Sequence, residues 1–129
     1  MAITLDTIGL VVENMARSLA FYRTLGLAIP DGHDDEPNVE FLTPSGVTLG
    51  FLSQEIAKTS DSRWQKPIGQ SMNLQFRCDS AGEVDEIHAK LISAEYENYQ
   101  EPWDAFWGQR FARILDPDGN IVNIFADLK

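Results

Sequence analysis

Apolar and polar positions along the chain fall into a pattern that occurs twice. Residues 110–115 and 121–126 read as strands on either side of the tight turn Asp116-Pro117-Asp118-Gly119-Asn120, and residues 39–42 and 47–52 flank Thr43-Pro44-Ser45-Gly46 in the same way. Aligning the two Pro-x-Gly turns sets Glu40 against Arg113, Phe41 against Ile114, Leu42 against Leu115 and Gly50 against Asn123, with no gap. Upstream, Thr7-Ile8-Gly9-Leu10-Val11-Val12 and Asn73-Leu74-Gln75-Phe76-Arg77-Cys78 each precede a helical pattern. The first helix follows a capping Asn14, places Met15, Leu19 and Tyr22 on one face and ends at Gly26. The second carries Val84, Ile87, His88 and Leu91 at i, i+3, i+4 and i+7. A repeat of strand, helix and three strands fixes the architecture before any other feature does. The prediction is an α+β fold, with one module over about residues 1–56, a connector over about 57–69 and a second module over about 70–129. Residues 97–109 read as a long aromatic connection before the closing hairpin.

These segments resemble the vicinal oxygen chelate superfamily, which includes glyoxalase I, the bleomycin-resistance proteins and the extradiol dioxygenases. The likeness covers nearly the whole chain and is strongest in LDTIGLVVENMARSLAFYRTLGL and WGQRFARILDPDGNIVNIFA. It implies two βαβββ modules, each a curled sheet, around a cleft that a homodimer commonly completes. It also implies four metal-ligand positions, usually His on the first strand of a module and Glu on the last. Those positions map onto Thr7, Gly50, Asn73 and Asn123. A hydroxyl and two amides are weak neutral ligands and glycine brings none, whereas a catalytic divalent site needs imidazole nitrogen or carboxylate oxygen. The expectation is a protein without the superfamily's metal site and without a cofactor.

Side chains alternate faces along a strand. With Thr7 and Asn123 toward the cleft, Ile8, Leu10, Val12, Val122 and Ile124 turn toward the helices, and that set is wholly aliphatic. The same parity sends Gly9, Val11, Asn73, Gln75, Arg77, Ile121 and Phe125 to the cleft. In the hairpins Val39, Phe41, Ala112 and Ile114 go to the core, leaving Asn38, Glu40, Phe111 and Arg113 to the cleft.

Composition narrows the function classes. A chain of 129 residues with 43% hydrophobic residues can bury a core as one domain of two modules. No run approaches a membrane span and residues 1–10 lack a basic start followed by an apolar stretch, so a soluble cytoplasmic protein is expected. The single cysteine, Cys78, falls in a strand pattern and reads as a small buried residue rather than a nucleophile. A net charge of −10 argues against nucleic acid and suits a cationic ligand, or serves solubility alone.

Candidate chemistry concentrates before the last hairpin. Trp103 and Trp107 are spaced to stack on a planar molecule or attract a cation, or else to pack beneath the loop or at a dimer interface. Trp64, in the connector, is a further candidate. Glu40 and Arg113 occupy equivalent positions and either pair with each other or grip a charged ligand. The expected ligand-binding set is Trp103, Trp107, Glu40, Phe111, Arg113, Asn73, Gln75, Asn123 and Trp64, with no catalytic and no metal-binding residue. No Ser-His-Asp or Cys-His arrangement is present, and His33 lacks an orienting partner in the sequence. The expected function is metal-independent sequestration of a planar or cationic antibiotic-like molecule. The alternatives are a glyoxalase- or dioxygenase-like enzyme with an atypical metal site, and a metal-free lyase or isomerase using Glu40 as base beside Arg113.

Overall fold

A computed structural model describes residues 3–128. Its elements run β1 (Thr7–Val12), α1 (Met15–Leu25), β2 (Asn38–Leu42), β3 (Thr48–Ser53), α2 (Gln54–Ser60), β4 (Leu74–Arg77), α3 (Ala81–Ser93), β5 (Asn98–Ala105), β6 (Gln109–Leu115) and β7 (Ile121–Asp127). The chain divides into two compact units, Met1–Arg23 with Leu27–Lys66, and Thr24–Gly26 with Pro67–Lys129. Each has a βαβββ-like arrangement within an α+β fold.

In the first unit Asn14 Oδ1 accepts the backbone N–H of Arg17 at 3.0 Å, satisfying one of the free donors at the start of α1. The helix stops at Gly26, whose φ of 133° strains any residue with a Cβ. The sheet order is β1-β3-β2, with β1 parallel and β2 antiparallel to β3. Leu19, Phe21, Tyr22 and Phe51 are fully buried, and the Tyr22 and Phe51 rings meet at 5.3 Å. Burial of each such side chain contributes roughly 1.5–3 kcal/mol. Only two strands follow α1 here. Residues 28–37, with Pro30, Gly32, Pro37 and four acids, have no alternating apolar face to bury and run as a loop. Arg23 steadies that loop by donating to the carbonyls of Ile29 and Pro30 at 3.0 and 2.7 Å. The predicted connector begins within α2, which Ser53 caps by accepting the N–H of Ile56.

The second unit carries the fuller repeat, a four-stranded sheet ordered β4-β7-β6-β5. Ser80 Oγ accepts the N–H of Glu83 at 3.2 Å while the Glu83 carboxylate accepts the N–H of Asp79, just before the cap, at 2.7 Å, and both bonds fix the start of α3. Val84, His88 and Leu91 form the buried stripe of α3, which packs on β6 and β7 over Ala112, Ile114, Val122 and Ile124. His88 is tolerated there because its Nε2 hydrogen-bonds Asn98 Oδ1 at 2.8 Å. The closing turn is held by Asp116, whose Oδ1 accepts the N–H groups of Asp118 and Asn120 at 2.9 and 2.8 Å. Gln70 clamps the same turn, donating to Gly119 O and accepting from Ile121 N at 2.7 and 2.8 Å.

Residues 97–109 differ from the reading as an irregular connection, since most of them form β5. Pro102 and the acids of NYQEPWDA disguise a strand at the sheet edge, where proline is tolerated. Among the described residues no helix is long and apolar enough to cross a membrane.

Candidate functional site

Strand pairing puts Thr7, Gly50 and Glu40 on one face of the first unit. Gly9 and Glu40 are both register partners of Gly50, and Thr7 pairs with Thr48. A Cβ built on Gly50 would stand 3.3 Å from Thr7 Cγ2 and 4.0 Å from Glu40 Cγ, so these three positions converge. Thr7 spends its hydroxyl hydrogen on Asp6 Oδ2 at 2.5 Å, and Glu40 is exposed. Trp64 lies beyond α2, half-buried, with Lys58 Nζ 6.0 Å from its ring centroid. It is not part of the Thr7–Glu40 group.

The second unit gathers most of the candidates on the sheet face opposite α3. Gln75 and Arg113 are the β4 and β6 register partners of Asn123, and Phe111 is that of Phe125. Their side chains form two adjoining groups. In the amide group, Asn73 Oδ1 accepts from Gln75 Nε2 at 3.2 Å and from Asn123 Nδ2 at 3.3 Å. Asn123 is only 3% exposed, and its Oδ1 is buried with no hydrogen-bond partner among the described residues.

The aromatic group is built on β5 and β6. Trp103, Trp107 and Phe111 meet edge to face, with centroids 5.4–5.9 Å apart, and Phe111 stacks on Phe125 at 5.9 Å. Phe111 is 5% exposed and serves as the floor of the group, while Trp107 at 45% and Phe106 at 96% form its outer edge. That edge projects because residues 105–108 turn tightly, Gly108 N donating to Ala105 O at 3.0 Å with φ of 90°. The Arg113 guanidinium lies over the rings of Trp103 and Phe111, 5.4 and 5.2 Å from their centroids, and donates to Gln100 Oε1. Charges lie at the far end of this face. Arg77 covers Phe125 at 4.8 Å and pairs with Asp127 at 3.0 Å. Hydrogen bonding from Gln109, then from Arg77, holds the Asp127 carboxyl below its ordinary value.

Gln100, Gln109 and Asp127 were absent from the residues predicted for this site. Gln109 and Asp127 carried a legible signal, since both share strand parity with Phe111 and Phe125. Gln100 carried none, because the register of β5 against β6 shifts on both sides of it. Cys78 is buried, and desolvation, with help from the Glu83 charge, pushes its thiol up to about 11.

In neither unit do the residues at the positions that the resemblance assigns to metal ligands suit a divalent ion. Gly50 has no donor, and the space beside its Cα belongs to the Thr7 methyl group. Asn73 and Asn123 are hydrogen-bonded to each other through neutral amides. Such a set does not fit a hard divalent cation, which wants imidazole or carboxylate donors. No group of three or more His, Cys, Asp or Glu side chains among the described residues could hold a metal ion.

Comparison with known proteins agrees with the fold. A glyoxalase/bleomycin resistance protein/dioxygenase from Nocardioides aligns over 100% of this chain and 86% of its own, with TM-score 0.76 and 23% identity. A glyoxalase/bleomycin resistance protein/dioxygenase family enzyme from Burkholderia phytofirmans aligns over 98% and 100%, with TM-score 0.83 and 20% identity. A protein of unknown function from Agrobacterium tumefaciens covers 99% and 97%, with TM-score 0.76 and 24% identity. At these identities the likeness is one of fold. No curated protein matches the sequence. The profile of the Glyoxalase/Bleomycin resistance protein/Dioxygenase superfamily matches residues 4–124, and the chain belongs to that superfamily.

Proposed function

We propose that this protein binds a small planar molecule without a metal ion and acts by sequestering it rather than by converting it. The observation that carries this reading is the composition of the second unit's open face. A tryptophan-edged aromatic group adjoins a cluster of three side-chain amides, and one buried amide oxygen has no donor among the described residues. Mostly apolar surface with a few placed polar groups is what small-molecule sites are made of. A buried acceptor left unpaired costs about 1–3 kcal/mol, a cost that a ligand supplying the missing donor would remove. The misfit of Thr7, Gly50, Asn73 and Asn123 to a divalent ion supports the metal-independent part. Within the second unit Cys78, buried and with its raised thiol, does not stand as a nucleophile. Bleomycin-type glycopeptides and planar quinone drugs are the ligands to try first.

The test is titration of chelator-treated, metal-analysed protein with these compounds, followed by tryptophan fluorescence. Saturable quenching that is stoichiometric, weakened by Trp107→Ala and free of any product supports sequestration. A tightly held stoichiometric metal, with binding or turnover lost on chelation, overturns it in favour of an enzyme with an atypical metal site. Turnover in metal-free protein that disappears in Glu40→Gln overturns it in favour of a metal-free lyase or isomerase.

A further inference from the structure

The open face of the second unit carries a cation that the unit does not neutralise. Its other arginines are paired: Arg77 with Asp127 at 3.0 Å, and Arg110 with Asp85 and Asp104 at 3.0 and 3.1 Å. Arg113 forms no ion pair with any described carboxylate of the unit. Its guanidinium is held by the neutral Gln100 amide and by the faces of Trp103 and Phe111. Those contacts orient a guanidinium without discharging it, and they leave most of its five N–H donors uncommitted. The sheet is distorted to make them. The β5 register slips between Asn98 and Gln100 and again between Gln100 and Trp103, which turns Gln100 toward Arg113. Irregularities of this kind re-aim side chains and concentrate beside functional sites.

The residue directly across from Arg113 on β7 is Asn123, whose Oδ1 has no donor among the described residues. Side chains on directly opposed strand positions stand roughly 4.5–5.5 Å apart at Cβ. The strand positions that carry an un-neutralised cation and an unmet acceptor are therefore neighbours, with aromatic surface beside them. We infer that the ligand of this face is a planar molecule bearing a carboxylate or equivalent planar anion that pairs with Arg113, with an adjacent N–H or O–H donor directed at Asn123 Oδ1. This rests on the reading of the face as a ligand site and adds the charge and hydrogen-bonding class of what it takes. The net charge of −10 describes the whole chain and pointed toward a cation. The local charge decides at contact, because screening confines exposed charges to about 10 Å at 0.1 M salt. Of the aromatic faces, those of Trp103, Phe111 and Phe125 are already occupied by Arg113 and Arg77.

The test is calorimetric titration of the full-length protein with three planar probes: 2-naphthoate, 3-amino-2-naphthoate and 2-naphthylmethylammonium. Wild type is expected to bind the aminonaphthoate more tightly than the naphthoate, and both at least about ten-fold more tightly than the ammonium probe, as a charge-assisted pair implies. Arg113→Gln is expected to abolish the preference for anions, and Arg113→Lys to keep part of it, circular dichroism confirming the fold of each. If Arg113→Gln fails to fold, the wild-type preference and Arg113→Lys decide. Ammonium binding equal to naphthoate binding overturns the inference, as does a folded Arg113→Gln that still prefers anions. Quenching by the quinone drugs with no binding of either naphthoate also overturns it and leaves the proposed function standing. No binding by any of these compounds overturns both.

Discussion

The indole N–H of Trp107 donates to Gln109 Oε1 at 2.9 Å. Gln109 in turn donates to Asp127 Oδ1 at 3.1 Å, and Asp127 takes a charged hydrogen bond from Arg77 at 3.0 Å. The outer tryptophan of the aromatic group is thus oriented through an amide by a carboxylate two strands away. The folded-state value of that carboxylate lies below its ordinary 3.8, so its stabilising contribution is present above 3.8 and is lost as pH falls through the depressed folded value. Tryptophan emission is expected to shift reversibly below pH 3.8 in wild type, and Asp127→Asn is expected to lack that step. A step that persists unchanged in the variant would assign it to other carboxylates.

Asn123 is expected to be retained at a cost in stability. Replacing it with valine removes the buried oxygen that lacks a donor and leaves Asn73 Oδ1 still held by Gln75. Removing an unmet buried acceptor is worth about 1–3 kcal/mol, less whatever the larger side chain costs in packing. Urea unfolding of Asn123→Val should show stability equal to or above wild type by about 1 kcal/mol, together with weaker ligand binding. A loss of more than about 2 kcal/mol would mean that the oxygen is satisfied, for instance by an internal water.

Gly50 is not required by its backbone, because its φ is outside the left-handed region and only the Thr7 methyl stands in the way of a Cβ. Glycine within a strand costs about 0.5–1 kcal/mol relative to alanine, and Thr7 needs to yield only a few tenths of an ångström. Gly50→Ala should melt within a few degrees of wild type. A large loss would show that the Thr7 side chain cannot move.

Cys78 should resist thiol reagents. With the thiol pushed up to about 11 by burial, only about one molecule in a thousand carries a thiolate at pH 8, and that thiolate is 8% exposed. Labelling by a chromogenic disulfide is expected to be slow in native protein and immediate in urea. The raised value stabilises the fold fully below 9.0, and that contribution is lost as pH rises through about 11. Fast native labelling at pH 8 would place the thiol at the surface.

Much of this was legible in the sequence because two short turns and two helical stripes carry strong local signals. Asn14, Gly26, Pro44-Ser45-Gly46 and Asp116-Pro117-Asp118-Gly119 mark element ends by their own chemistry. Parity then sorts residues between faces wherever a strand is regular, which placed Gln75, Phe111, Arg113 and Asn123 together and Val122, Ile124 and Ile114 behind them. Parity fails where a strand is irregular, and so β5 and Gln100 were missed. It is silent as well on which side chains bond each other. That Asn73 joins Gln75 to Asn123, while Asn123 keeps an idle oxygen, follows from side-chain angles that no residue pattern encodes.

The broken register of β5 also bears on how the protein keeps company with copies of itself. β5 lies at the edge of its sheet, where a regular strand would offer a continuous row of amide donors and carbonyl acceptors to any extended chain that drifted past. Two irregularities within eight residues and a proline with no N–H interrupt that row. The feature that aims Gln100 at Arg113 is thereby also of the kind that makes an edge strand a poor template for fibril growth.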